Sequence, residues 1–139
     1  MNTALEPFAD QKTVVLTTYR GDGTPVDTPV HVAVEHGRAF IRTYETAYKT
    51  KRLRRHPEAE LRLASNGTAP ALAALLRPHS AHPVGAPVYV RATALTGDDE
   101  RLACAALARK YPLLHGVLIP RMHRLQGTRT VNLELTPVA

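Results

Sequence analysis

The chain has 139 residues, 44% of them apolar, with a formal net charge of +6 and an isoelectric point near 9.9. That is enough to bury one hydrophobic core and excludes a disordered chain, while no 18-residue apolar run is present to cross a bilayer. The basic balance favours an anionic partner without choosing between nucleic acid, a membrane surface and a phosphorylated ligand.

The segment Met1–Asp10 lacks a basic stretch followed by an apolar run, so no secretory signal is read there and a cytoplasmic protein is expected. Cys104 is the only cysteine, which excludes an internal disulfide and any zinc site built from cysteines. Residues 13–19 are rich in β-branched side chains and predict a first strand. Arg20-Gly21-Asp22-Gly23 supplies a turn, because Asp-Gly tolerates positive φ. Residues 27–35 predict a second strand, with Val30, Val32 and Val34 on one face and His31, Ala33 and Glu35 on the other. His36-Gly37 turns the chain into a third strand over 38–43, completing an antiparallel meander.

Thr46 is placed to cap a short helix that runs to about His56, where Pro57 stops it. A fourth strand follows over 58–64, then an Asn66-Gly67 turn. Residues 68–87 carry four prolines around an apolar run and fit a strand end, a short helix or a covering loop. Alternation resumes over 87–95, with Val88, Val90, Ala92 and Ala94 facing away from Tyr89, Arg91 and Thr93. Asp98-Asp99-Glu100 places acids at the start of a helix that reaches Tyr111 and ends at Pro112. A shorter helical piece over 113–125 and a closing strand over 129–136 complete the chain. The expected fold is therefore α+β and mainly β: a single domain over 1–139, built as a six-stranded antiparallel barrel with two or three short helices.

The densest chemistry lies in Lys49-Thr50-Lys51-Arg52-Leu53-Arg54-Arg55, five fixed positive charges in seven residues. A helix N-terminus offers free N–H groups and partial positive charge. Arg52 shares a face with Lys49, and arginine grips phosphate bidentately where lysine supplies a point charge. The alternative is a solvated basic face. His31 is a weak catalytic candidate beside the ordinary reading of a half-exposed strand histidine. Tyr44 and Tyr48 flank the cluster, to stack on a ring or simply to pack. His79 and His82 lie three apart without a supporting ligand set, so no metal is expected. Ser65 and Ser80 have no supporting triad motif, and there is no glycine pattern of a phosphate loop. Aromatic residues are 5% of the chain and tryptophan is absent, which supplies a nucleic-acid stacking platform poorly.

The run from Val14 to Val30 resembles the first hairpin of the pyridoxamine-phosphate-oxidase-like split β-barrel proteins, and is most similar to their branch that uses the deazaflavin coenzyme F-420. Lys49 to Leu61 looks like that family's phosphate-binding helix leading into the next strand, and Ala108-Arg109-Lys110-Tyr111 also fits, so the resemblance spans roughly 13–137. It implies a homodimer with two cofactor sites at the interface, and a bound coenzyme F-420, flavin mononucleotide (FMN) or, occasionally, haem. By position, Thr28, Pro29, Val30 and His31 would pass beside the ring system, Arg42 and Thr43 would lie near it, and Lys49, Lys51 and Arg52 would take the phosphate and acidic tail. Tyr48 would restrict the space beside the cofactor, since Ala47-Tyr48 stand where many relatives carry a small pair such as Ser-Gly.

The resemblance implies an oxidoreductase that moves a hydride between reduced F-420 and an unsaturated acceptor, with the cofactor carrying the reaction. An FMN-dependent enzyme of the same fold, a protein that only holds the cofactor, and a barrel repurposed for non-redox chemistry are the alternatives.

Overall fold

The computed structural model describes residues 4–68, 82–112 and 129–138. Seven antiparallel strands form one sheet: β1 (Val14–Tyr19), β2 (Pro25–Val30), β3 (Ala33–Glu35), β4 (Arg38–Tyr44), β5 (Glu58–Ala64), β6 (Pro83–Ala94) and β7 (Thr130–Pro137). Helix α1 (Tyr48–Arg55) links β4 to β5, helix α2 (Gly97–Lys110) follows β6, and a 3-10 turn at Glu6–Phe8 precedes β1. The strand order is β2-β1-β5-β6-β7-β4-β3. The helical piece expected over 113–125, most of the 68–87 segment, and His79, His115 and His123 lie outside the described residues.

The expected second strand is divided. The valine alternation is obeyed throughout, since Val30 and Val32 are core residues and Val34 packs against the same core, with Ala33 on the opposite face beneath α2. The pairing partners change at His31-Val32: β2 pairs with β1, and β3 pairs with β4. Among the described residues seven strands rather than six result, and their sheet is not closed into a barrel. Its two edge strands, β2 and β3, are separated by two residues of chain, so the backbone itself crosses the open seam.

Crossing a seam leaves backbone groups without a ladder partner, and a buried carbonyl in that position is costly. The carbonyl of Val32 is satisfied from the end of α2. Lys110 Nζ donates to it at 2.7 Å and the Tyr111 hydroxyl at 3.1 Å. The same hydroxyl proton is shared with the Lys12 carbonyl at 2.8 Å, and the Tyr111 ring stacks on His31 with centroids 4.8 Å apart. The helix end thus serves as a side-chain latch over the seam.

Two apolar clusters follow from the strand pattern. Inward residues of β1, β4, β5 and β7, such as Leu16, Ile41, Leu61 and Leu135, fill the sheet's concave side with Phe8 and Leu53. Phe40 and Ala33 face outward and meet Ala103, Ala106 and Leu107 of α2. Outside the helix, Arg38 spans Glu134 (2.8 Å) and Asp99 (3.3 Å), tying α2 to β4 and β7.

Two further expectations are corrected. β6 begins at Pro83, not Pro87. Its register with β5 shifts between Leu61↔Val88 and Leu63↔Val84, and a bulge holding Gly85 (φ 77°) and Pro87 absorbs the residues that cannot extend a regular ladder. The N-cap of α1 is Ala47 rather than Thr46, and no side chain caps it. The turn is held one residue layer deeper, where the Thr50 hydroxyl donates to the Tyr44 carbonyl at 2.7 Å and lies 3.2 Å from Thr43 Oγ1.

Candidate functional site

Helix α1 is short, and its turns present Tyr48, Lys51, Arg52 and Arg55 on one side. That side faces the end of β1 and the turn after it. Together with Tyr19 and Arg20 these side chains line a cleft of about 310 Å³. Arg52 is fixed within it by a bond from Nε to Thr18 Oγ1 at 2.7 Å, and Thr18 itself is buried. Tyr48 stands at the rim, 77% exposed, with the Lys51 ammonium 5.5 Å from its ring centroid.

The electrostatics of this corner are one-sided. Arg38, Arg54, Arg62, Arg91, Arg101 and Arg109 each form an ion pair with a carboxylate. Among the described residues, Arg20, Lys49, Lys51, Arg52 and Arg55 form none. Burial, then the neighbouring Arg52, holds the Lys49 ammonium below its ordinary range. Burial, then Arg20, does the same to Arg52. A group of cations that is partly desolvated, mutually repulsive and short of carboxylates is an arrangement that an anion stabilises.

The sequence-derived residues divide between this cleft and its surroundings. Tyr48, Lys51 and Arg52 line the cleft. Lys49 lies behind it, close enough to His31 and Arg52 for its charge to act on both. Thr28 and Pro29 are half-buried on β2, opposite Leu16 and Val15 of β1, and Val30 is in the core. Arg42 donates to Thr130 Oγ1 at 2.8 Å, and Thr43 is buried against Thr50. His31 is half-buried on Tyr111. Burial, followed by the charges of Lys110 and Lys49, pushes its pKa down to about 4, so the imidazole is neutral at neutral pH.

Arg20, Arg55 and Tyr19 line the cleft and buried Thr18 anchors Arg52 in it, although none of the four is among the sequence-derived site residues. Arg55 was within the cationic run, and a 100° helical projection places it with Lys51 and Arg52 while sending Arg54 elsewhere. Arg54 indeed meets Glu45, at 3.8 Å. Arg20 carries no local signal: it reaches the cleft only because the β1–β2 turn folds beside α1.

No family model matches this sequence, and no curated protein does. Solved structures do match its fold. A protein of unknown function from Agrobacterium tumefaciens superimposes with a TM-score of 0.68 at 19% identity, over 95% of this chain and 50% of that one. HutZ, the haem storage protein from Vibrio cholerae, gives 0.65 at 15%, over 100% and 92%. A proposed pyridoxamine 5′-phosphate oxidase from Listeria innocua gives 0.60 at 12%, over 97% and 90%. The fold is accordingly the α+β split barrel of pyridoxamine-phosphate-oxidase-like proteins. Among the described residues no helix is long and apolar enough to cross a membrane, and no group of three potential metal ligands is found.

Proposed function

We propose that this protein is an oxidoreductase dependent on the deazaflavin coenzyme F-420, and that the α1 cleft holds the cofactor's phosphate and acidic tail. The observation that carries the reading is the convergence of Arg20, Lys51, Arg52 and Arg55 on one cleft, with Lys49 close enough for its charge to act on Arg52, and with no ion-paired carboxylate on any of the five among the described residues. Five cations suit a ligand with several negative charges better than the single phosphate of FMN. Pyridoxamine-phosphate-oxidase-like folds among the solved structures support a redox setting.

Each side chain has a definable task. Arg52, held by Thr18, offers a preoriented guanidinium. Lys51, Arg55 and Arg20 supply charge along the cleft. Tyr48 covers its mouth, and Thr50 fixes the start of α1 so that these groups keep their positions. When bound, reduced F-420 supplies a hydride for an unsaturated acceptor, and no protein nucleophile is required. His31 is neutral near pH 7 and so offers no imidazolium proton there. A homodimer that adds residues from a second copy forms part of the same proposal.

Titration of the cofactor's own fluorescence tests it, with F-420 and FMN in parallel. F-420 is expected to bind at micromolar Kd and FMN more weakly. Arg20→Ala and Lys51→Ala should each weaken F-420 binding at least tenfold, while Arg101→Ala, remote and already paired, should not. Tight FMN binding without F-420 binding transfers the protein to the FMN reading. Binding of neither, or of haem alone, overturns the redox assignment.

A further inference from the structure

A second cavity, of about 450 Å³, opens on the convex side of the sheet and shares Tyr19 with the cationic cleft. Its lining is acceptor-rich and aromatic rather than cationic. Glu58 and Glu60 are two apart on β5 and therefore point to the same face. Tyr89 is opposite Glu60 in the β5–β6 register. Tyr19 and His56 form a tilted ring pair, with centroids 5.4 Å apart, on the other side. Arg91 (2.7 Å from Glu58) and Arg62 (3.6 Å from Glu60) hold the two carboxylates from outside the lining. The lining itself carries two carboxylates, one imidazole and two phenol rings, and neither lysine nor arginine.

Tyr89 is the unusual member. It belongs to a strand paired on both sides, by β5 and β7, yet the residue is 59% exposed. A phenol ring left in water beside an arginine-paired carboxylate offers its π face and a hydrogen-bond acceptor to the same ligand. That combination selects a flat cation: aromatic faces attract positive charge through the ring quadrupole, and a carboxylate adds direction. The volume lies in the range of small-molecule sites. Burial, and the Glu60 carboxylate beside it, hold the Tyr19 phenol above its ordinary range, so this wall stays uncharged.

We propose that the cavity between Tyr19 and Tyr89 is a binding site for a small planar organic cation, of the amidinium, pyridinium or arylammonium class, separate from the anion cleft and divided from it by Tyr19. The site stands whether or not the α1 cleft takes F-420, because none of its selecting groups belongs to that cleft apart from the shared wall.

Benzamidinium, neutral benzamide and benzoate are the probes, titrated calorimetrically into the full chain at low salt. Benzamidinium should bind with Kd on the order of 1 mM or below, as befits a fragment with few atoms, benzamide at least tenfold more weakly, and benzoate not at all. Tyr89→Ala and Glu58→Gln, both at exposed positions, should each weaken benzamidinium about five- to tenfold and leave pyrophosphate binding unchanged. Arg55→Ala should do the converse. Equal binding of all three probes, or benzamidinium binding untouched by both cavity variants, overturns the proposal. So does absence of benzamidinium binding in a dimer that dissociates in Tyr89→Ala, which would make this face a contact between copies.

Discussion

Replacing Tyr111 by Phe and Lys110 by Met, singly and together, tests the latch over the barrel seam. Tyr111→Phe keeps the ring that stacks on His31 and removes the one hydroxyl proton shared between Lys12 O at 2.8 Å and Val32 O at 3.1 Å. At about 1 kcal/mol net for a buried donor, the loss is about 1 kcal/mol, or roughly 3–4 °C in Tm for a chain of this size. Lys110→Met removes one donor to Val32 O but also a half-buried ammonium whose pKa burial has pushed down to about 8. Those effects oppose each other, and the single change should cost less than about 1 kcal/mol. In either single variant Val32 O keeps one donor; in the double variant it has neither. The double variant should therefore lose about 1–2 kcal/mol beyond the sum of the singles. Urea unfolding of the four proteins at pH 7 measures this coupling. Additivity within about 0.5 kcal/mol would refute the latch, because it would mean that the two side chains do not serve one carbonyl.

Other expectations follow from groups held away from their ordinary state. His31 has a folded pKa of about 4 against 6.5, so the unfolded chain binds the extra proton between those values and stability is lost as pH falls from 6.5 towards 4. From pH 7 to pH 5 the native protein should lose about 2 kcal/mol more than a His31→Gln variant in paired urea titrations; parallel curves would remove His31 from the account. Lys110 has a folded value of about 8 against 10.5, so its burial penalty is fully present below pH 8 and relieved as pH rises to 10.5. Wild type should accordingly gain on Lys110→Met across that window, and a constant difference would show that the ammonium is not desolvated. Gly67→Ala puts a Cβ 3.0–3.1 Å from the carbonyls of Thr13 and Ala64 and into the Gln11 side chain, so it should cost about 1–3 kcal/mol by thermal unfolding. A neutral result there would mean that the Lys12–Gly67 bond, 2.6 Å in the native chain, yields easily. Lys49→Met should raise Tm while weakening F-420 binding; a fall in both would point to a structural role for the ammonium.

The strand pattern was largely legible because alternation is local. Val88, Val90 and Ala92 face the core and Tyr89, Arg91 and Thr93 do not, as the spacing implies. The break at His31-Val32 was hidden by that same alternation, which runs through it without a missed step, and only a change of pairing partner reveals it. Thr46 looked like the cap because Thr is a good capping residue, but Thr50 supplies the bond that fixes the turn. In the candidate site, the cationic run announced α1 by composition alone. Arg20 and Thr18 were silent, since a lone arginine in a turn and a threonine in a strand acquire meaning only when α1 packs beside them.

The strand order also sets when the molecule can become whole. β3 and β4 form a hairpin of their own, β1 and β2 another that β5 joins, and among the described residues the ladder uniting the two groups runs through β7. β4 meets β7 across some 88 residues of chain, from Arg42 to Thr130. During synthesis on a ribosome the two hairpins therefore emerge joined by His31-Val32 but unpaired with each other, and Val131, Leu133 and Leu135 act as the keystone that brings them into one sheet. Hydrogen-exchange labelling of stalled chains should find β3–β4 unprotected until Thr130–Pro137 has cleared the exit tunnel, and early protection there would show that the hairpin docks without its keystone.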